Sequence, residues 1–146
     1  MPRLISFILL TSLVAYGCSD SSTSPSSTTP PRGEFSQTDL VVGTGATAAT
    51  GRLLTVNYTG WLYDPAQPEQ KGQQFDSSLN PGRTPYQFTL GVSAVIQGWH
   101  RGVDGMRVGG RRRLVIPPEL GYGSMGNPPV PPNGSMVFDI ELLAVQ

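Results

Sequence analysis

Glycine and proline restrict the folding of this chain more than any other feature of its sequence. The 146 residues include 18 glycines and 14 prolines. Both interrupt helices, glycine because it is too flexible and proline because it lacks the N–H donor. Only one short helix is predicted, from Gln97 to Val103, ended by Gly105.

Strand-like alternation of apolar and polar residues fills much of the remaining sequence after residue 35. The apolar positions of four such segments are Leu54, Val56 and Tyr58; Tyr86, Phe88 and Leu90; Leu114 and Ile116; and Met136, Phe138, Ile140 and Leu142. The intervening residues, among them Val115, Val137 and Asp139, should face away from the core. We therefore predict an α+β fold in which one short helix covers an antiparallel sheet.

The N-terminal residues predict export. Residues 1–17 have a positive start at Arg3 and an apolar run too short to span a bilayer, as in a signal peptide. Cys18 follows as in a bacterial lipobox, so we expect lipid attachment there; a plain secretory signal with an incidental cysteine is the alternative. Residues 18–35 are rich in Ser, Thr and Pro and predict a flexible tether. Residues 36–146 form the predicted domain.

Charge and residue counts exclude several functions. Ten basic and ten acidic residues balance, which argues against nucleic-acid binding. We interpret the run Arg111 to Arg113 as the solvated start of a strand. His100 is the only histidine, so two-histidine metal sites are excluded, and we expect an ordinary surface or half-buried side chain. No metal or cofactor is predicted.

Aromatic residues recur beside turn signals, most clearly where Trp99 follows what reads as a tight glycine turn at Gly98. Rings at such places line a rim more often than they fill a core. We predict an apolar pocket that needs only a few hydrogen-bonding groups.

Several ordered stretches resemble the FKBP-type peptidyl-prolyl isomerases. They are Val56–Gly60, Phe75–Ser78, Val95–Trp99, Gly102–Met106, Ile116–Gly123 and Met136–Leu142. This resemblance spans the chain from about residue 37 to the C-terminus. It implies a curved antiparallel β-sheet wrapped around one short α-helix, with a hydrophobic pocket between them.

The resemblance also implies residue roles. Trp99 would form the pocket floor, and the Ile96 N–H and the Tyr122 hydroxyl would hold substrate carbonyls. Asp76 would contact the strained amide region or orient neighbouring groups. These four are the candidate catalytic residues. The candidate substrate-binding walls are Tyr58, Phe75, Tyr86, Val95, Val130 and Phe138. Residues 61–74 read as a longer loop than is usual in the family, and whether Arg83 pairs with Asp76 stays open.

The expected function is peptidyl-prolyl cis-trans isomerisation in proline-containing, unfolded or nascent exported polypeptides. The alternative is a non-catalytic, chaperone-like module that binds extended proline-containing segments. A purely structural envelope lipoprotein would leave the aromatic residues unexplained. We expect a monomer in the bacterial cell envelope, held to a membrane through the lipid on Cys18.

Overall fold

The computed structural model describes residues 29–146, which form one antiparallel sheet and one short helix. The strands are β1 (Ser36–Val41), β2 (Leu53–Tyr63), β3 (Lys71–Ser77), β4 (Tyr86–Thr89), β5 (Arg111–Ile116) and β6 (Met136–Val145), and the helix is α1 (Gln97–Val103). Short 3-10 turns cover Pro68–Gln70 and Pro118–Leu120. The α+β prediction is confirmed, and the helix has the predicted bounds.

The sheet order is β1-β5-β6-β2-β3, and β4 pairs with β2 beside β3. One side of the long strand β2 pairs with β6, from Leu54 to Leu62. Its other side pairs first with β4 and then with β3. All pairings are antiparallel. The central position of β2 lets one strand contribute to the core at one end and to the pocket at the other.

Helix α1 packs on the apolar face of the sheet. A helix of seven residues is marginal by itself, so its stability comes from this packing. A Cβ at Gly98 would lie 2.6 Å from the Ile116 side chain, and one at Gly102 would lie 2.4 Å from Leu114. The helix therefore approaches β5 as closely as it does because both positions are glycine. Gly98 lies inside the helix, so its predicted role as a tight turn was wrong.

Two strands were not predicted. β1 is exposed along its whole length, and β3 is mostly polar, so neither shows the alternation of a half-buried strand. The segment predicted as the loop 61–74 contains the end of β2, a 3-10 turn and the first half of β3. Backbone pairing with β2 holds β3 in the sheet.

The face of the sheet opposite α1 is more buried than the alternation suggested. Val137 is fully buried and Asp139 is 8% exposed. Gly33 covers part of this face, since a Cβ there would meet Val115 at 2.7 Å, and its N–H donates to Ser135 Oγ at 3.0 Å. The segment before β1, placed in the tether by sequence, thus contacts the domain.

Two of the three arginines of β5 are not solvated, which corrects the sequence interpretation; Arg111, at the start of the strand, is exposed. Arg112 is 9% exposed, and its guanidinium binds Asp39 of β1 at 2.6 Å and the Gly102 carbonyl at 2.9 Å. Arg113 donates twice to Asp139 of β6, at 2.8 and 3.1 Å. Partners on neighbouring elements allow these charges to lie at partly buried positions.

Candidate functional site

A cavity of about 240 Å³ lies between the sheet and α1. Strands β2, β3, β4 and β6, helix α1 and two loops contribute to its wall. The lining residues are Tyr58, Phe75, Asp76, Tyr86, Ala94, Val95, Ile96, Trp99, Tyr122 and Phe138. Six of these ten carry aromatic rings, so the cavity presents flat apolar surfaces interrupted by few polar groups.

Trp99 connects the pocket to the core. Its ring centroid lies 5.1 Å from that of Tyr58 and 5.4 Å from that of Phe138, both in edge-to-face arrangements. The indole is 5% exposed. Its Nε1 is buried and has no hydrogen-bond partner among residues 29–146. Packed rings therefore fix the indole, which gives the pocket a rigid apolar surface.

Asp76 is the one acidic side chain in the pocket wall. It accepts a hydrogen bond from the Tyr58 hydroxyl at 2.5 Å and another from Arg83 Nη2 at 3.1 Å. Arg83 thus pairs with Asp76, which settles the question that the sequence left open. The backbone N–H of Ser77 also donates to this carboxylate, at 2.9 Å.

The Tyr58 hydroxyl is a donor throughout the physiological pH range. Burial, followed by the hydrogen bond to the Asp76 carboxylate, raises the pKa of Tyr58 to about 12, against the opposing effect of Arg83. The phenol therefore keeps its proton and keeps Asp76 in place. The polar part of the pocket has a defined donor and acceptor pattern before any substrate arrives.

Two loops complete the wall. Residues 91–96 lead into α1 and contribute Ala94, Val95 and Ile96. Tyr122 follows the 3-10 turn Pro118–Leu120, and its carbonyl accepts from the N–H of Gly126 at 3.2 Å. Because these loops are separate in sequence, the pocket exists only in the folded chain.

The structure brings nine of the ten predicted catalytic and substrate-binding residues together in this cavity. Val130 does not line it. That side chain is 2% exposed in the core, in the same cluster as Trp99 and Phe138, and its backbone exchanges hydrogen bonds with Asn127. Ala94 lines the pocket but was not predicted, because a small residue in a loop carries no sequence signal. The predicted lipidation residue Cys18 lies outside the described residues.

Other chemistry can be assessed only within residues 29–146. There, no group of three or more His, Cys, Asp or Glu side chains is arranged to hold a metal ion. The same part of the chain contains no helix that is long and apolar enough to cross a membrane.

Comparison with known proteins identifies the family. The family model described as FKBP-type peptidyl-prolyl cis-trans isomerase matches residues 45–143. The FK506-binding protein of Neisseria meningitidis serogroup A is 46% identical over 108 residues, which cover 73% of this chain and 92% of that protein. FK506-binding protein 4 of Dictyostelium discoideum is 47% identical over 107 residues, but these are 27% of its length.

A solved structure agrees with this assignment. FkpA from Escherichia coli matches with a TM-score of 0.66 and 39% sequence identity, covering 77% of this chain and 48% of that chain. The match supports the fold described above, with its open antiparallel sheet and single short helix. The chain therefore belongs to the FKBP-type peptidyl-prolyl cis-trans isomerase family and is an enzyme of that class.

Proposed function

We propose that this isomerase acts on proline-containing segments of unfolded or nascent exported polypeptides, which it binds in the aromatic pocket. The observation that carries the proposal is the cavity itself. Six rings surround a space of about 240 Å³, and Asp76 and Tyr122 supply polar groups in its wall. A proline ring is apolar, compact and small enough for such a space.

The proposed mechanism needs no covalent step. Rotation about an Xaa-Pro bond has a barrier of about 18–20 kcal/mol because the planar amide is resonance-stabilised. The twisted transition state loses resonance and is less dipolar than the planar amide. Transfer into an apolar cavity therefore costs the ground state more solvation free energy than it costs the transition state. Selective stabilisation of the twisted state by about 4 kcal/mol corresponds to about a thousandfold rate increase.

Three polar groups would orient the substrate. In this proposal, Trp99 supports the proline ring, while the Ile96 N–H and the Tyr122 hydroxyl donate to the carbonyls on either side of the bond. The carboxylate of Asp76, held by Tyr58 and Arg83, lies beside the twisting amide. A fixed carboxylate there favours the transition state only if its orientation is set in advance.

The test is the cis-to-trans relaxation of short Xaa-Pro peptides in the presence of the purified chain. We expect acceleration without added metal or nucleotide. Tyr122→Phe removes one hydroxyl from the pocket and should reduce kcat/KM about tenfold, whereas the matched variant Tyr63→Phe removes a hydroxyl outside the pocket and should not. Binding of the peptides with relaxation at the uncatalysed tens of seconds would instead identify a non-catalytic binding module.

We also propose that a lipid on Cys18 holds the domain at a membrane of the bacterial cell envelope. The support is the sequence of residues 1–18, with its positive start, short apolar run and following cysteine. The Ser, Thr and Pro residues that follow would give the domain freedom to reach its substrates.

Metabolic labelling with a radioactive fatty acid tests the anchor. The chain should become labelled and fractionate with membranes, and Cys18→Ser should abolish both. Ser22→Ala, a change in the same segment that keeps the thiol, serves as the control. Membrane association of Cys18→Ser equal to that of the unchanged chain would refute the anchor.

A further inference from the structure

A second cavity, of about 370 Å³, adjoins the aromatic pocket. Tyr58 and Tyr86 line both spaces, and the loop between β3 and β4 completes the wall of the second one. Tyr86 is 42% exposed, so its ring forms part of the boundary without closing either space to solvent. A chain bound in the aromatic pocket can therefore continue into the second cavity.

The wall of the second cavity is polar, whereas that of the aromatic pocket consists mostly of rings. Besides the two tyrosines, it presents the side chains of Ser78, Arg83, Thr84 and Gln87. None of the described residues in this wall carries a carboxylate, and the guanidinium of Arg83 is its one formal charge. The cavity is therefore better suited to a polar or anionic group than to an apolar one.

Arg83 is held in place by one nitrogen of its side chain. Its Nη2 donates to Asp76 at 3.1 Å and to the Tyr58 hydroxyl at 3.4 Å, and its backbone N–H donates to the Asn80 carbonyl at 3.0 Å. The side chain is 53% exposed. A guanidinium has five N–H donors, so Nε and Nη1 can bind an acceptor that enters the cavity.

Gln87 extends the polar wall onto β4. Its backbone pairs with Thr55 of β2, and its Nε2 donates to Thr55 Oγ1 at 3.2 Å, so the side chain has a defined direction. Gln87 is exposed and does not line the aromatic pocket. A change of charge at this position would therefore alter the second cavity and leave the lining of the aromatic pocket intact.

We propose that the second cavity is a substrate subsite, in which Arg83 binds a carboxylate side chain one or two residues from the isomerised proline. A fully extended chain advances about 3.5 Å per residue, so a residue this close to the proline can reach past the rings of Tyr58 and Tyr86. The inference rests on the proposed binding of proline in the aromatic pocket. It goes further in naming a substrate class, segments with Asp or Glu near the proline.

Charge favours an acidic group over a basic one in this subsite. A carboxylate would accept charge-assisted hydrogen bonds from Nε or Nη1, whereas a lysine ammonium would face a cation. Asp76 offsets part of the charge of Arg83, and it already accepts from Tyr58 and from the N–H of Ser77. Because Arg83 is half exposed and partly compensated, the preference should be that of an exposed ion pair, about threefold.

Peptides that differ in one side chain measure this preference. Glu, Gln and Lys are compared at each of the four positions within two residues of the proline, and kcat/KM is measured with the full chain at pH 7. At one or more of these positions, the Glu peptide should be isomerised about threefold more efficiently than the Lys peptide. Added salt should bring this ratio towards one, because it screens exposed charges.

Three variants locate the origin of the ratio. Gln87→Glu adds a carboxylate to the wall and should lower the Glu-to-Lys ratio to about one or below. Arg83→Gln should reduce activity towards every peptide, because Arg83 also holds Asp76, and should bring the ratio itself to about one. Gln74→Glu, an exposed position of β3 that lines neither cavity, makes the same change of charge and should leave the ratio unchanged.

A Glu-to-Lys ratio of one at all four positions, or a ratio that Arg83→Gln leaves unchanged, would overturn the subsite. Equal responses to Gln87→Glu and Gln74→Glu would also overturn it, since they would trace the ratio to net charge. If the chain binds the peptides but isomerises none of them, the proposed function fails. The Glu-to-Lys ratio of the peptide dissociation constants, measured by calorimetry on the same variants, then decides whether the subsite exists.

Discussion

The carboxylate of Asp76 is held by donors from three parts of the chain. Tyr58 belongs to β2, Ser77 follows in β3, and Arg83 lies in the loop before β4. Both oxygens are engaged, so the orientation of the carboxylate is set in the free enzyme. We expect the contribution of Asp76 to catalysis to depend on that orientation as well as on its charge.

Asp76→Asn tests whether the charge of this carboxylate contributes to catalysis. The amide keeps the volume but loses the negative charge and one acceptor, so kcat/KM should fall at least about tenfold while the folded fraction changes little. Asp39→Asn is the matched control, because Asp39 also pairs with an arginine, Arg112, but outside the pocket. That control should lower the melting temperature by a few degrees and leave turnover per folded molecule unchanged.

Equal effects of the two substitutions on kcat/KM would show that Asp76 acts only through the stability of the fold. Circular dichroism melts of both variants, recorded beside the kinetics, provide the comparison.

Residues with a strong local sequence signal lie where the resemblance placed them, and their roles in catalysis stay predictions. Trp99 and Phe138 stood in stretches that resemble the family, and the structure brings both to the pocket. The pairing of Arg83 with Asp76 could not be predicted, because it depends on how loop 79–84 closes. Val130 was misplaced for the same reason, since the path of a proline-rich loop is set by its contacts with the rest of the fold.

At the level of elements, the distance between α1 and β5 is set by two glycines of the helix, which have no side chain. Gly98 lies against Ile116 and Gly102 against Leu114, with no room for a Cβ at either position. The helix carries Trp99 between these two glycines. Any outward shift of the helix would therefore move the indole of the pocket as well.

Gly98→Ala should destabilise the fold and impair catalysis together. The added methyl group would lie 2.6–2.8 Å from three Ile116 side-chain carbons, and such overpacking costs about 1–3 kcal/mol. Ile116→Ala in the same chain removes the obstructing atoms. A double-mutant cycle of urea unfolding should give less destabilisation in the double variant than the sum of the single ones; additive effects would contradict direct contact.

The sequence predicted α1 because its helical span is bounded by Gly105. It did not predict β3, since the residues Lys71–Ser77 alternate weakly and are mostly polar. That strand depends on partners distant in sequence: it pairs with β2, and its first residue, Lys71, bonds Asp139 of β6 at 2.8 Å. Local pattern is a weak guide where long-range contacts provide the stability.

Across the whole molecule, one ionic cluster connects three strands on the face opposite α1. Asp139 of β6 binds Arg113 of β5 and Lys71 of β3, and Glu69 in the 3-10 turn binds the same two cations. Burial by itself would raise the pKa of Asp139, but its bonds to Arg113 and Lys71 outweigh burial and lower it.

The cluster should make the free energy of unfolding depend on pH in the acidic range. Because the pKa of Asp139 is lower in the folded state, its contribution is fully present above the ordinary carboxyl pKa near 3.9 and is lost as the pH falls through the folded value. Asp139→Asn should therefore lower the free energy of unfolding at pH 7 by about 3 kcal/mol and reduce its decline below pH 4. Urea titrations at pH 7, 4 and 3 measure both effects, and an unchanged acid dependence would refute the assignment.

The buried Gly33 joins the segment before β1 to the domain. Its backbone packs on Val115, whose side chain points away from α1. The residues before it reach the loops that follow β5, where Arg32 pairs with Glu119 at 2.8 Å and Thr29 and Pro30 lie beside Pro131 and Pro132. Glu119 belongs to the 3-10 turn that precedes Tyr122. Anything joined to residue 29 is therefore attached beside the loops that supply Tyr122 to the cavity wall.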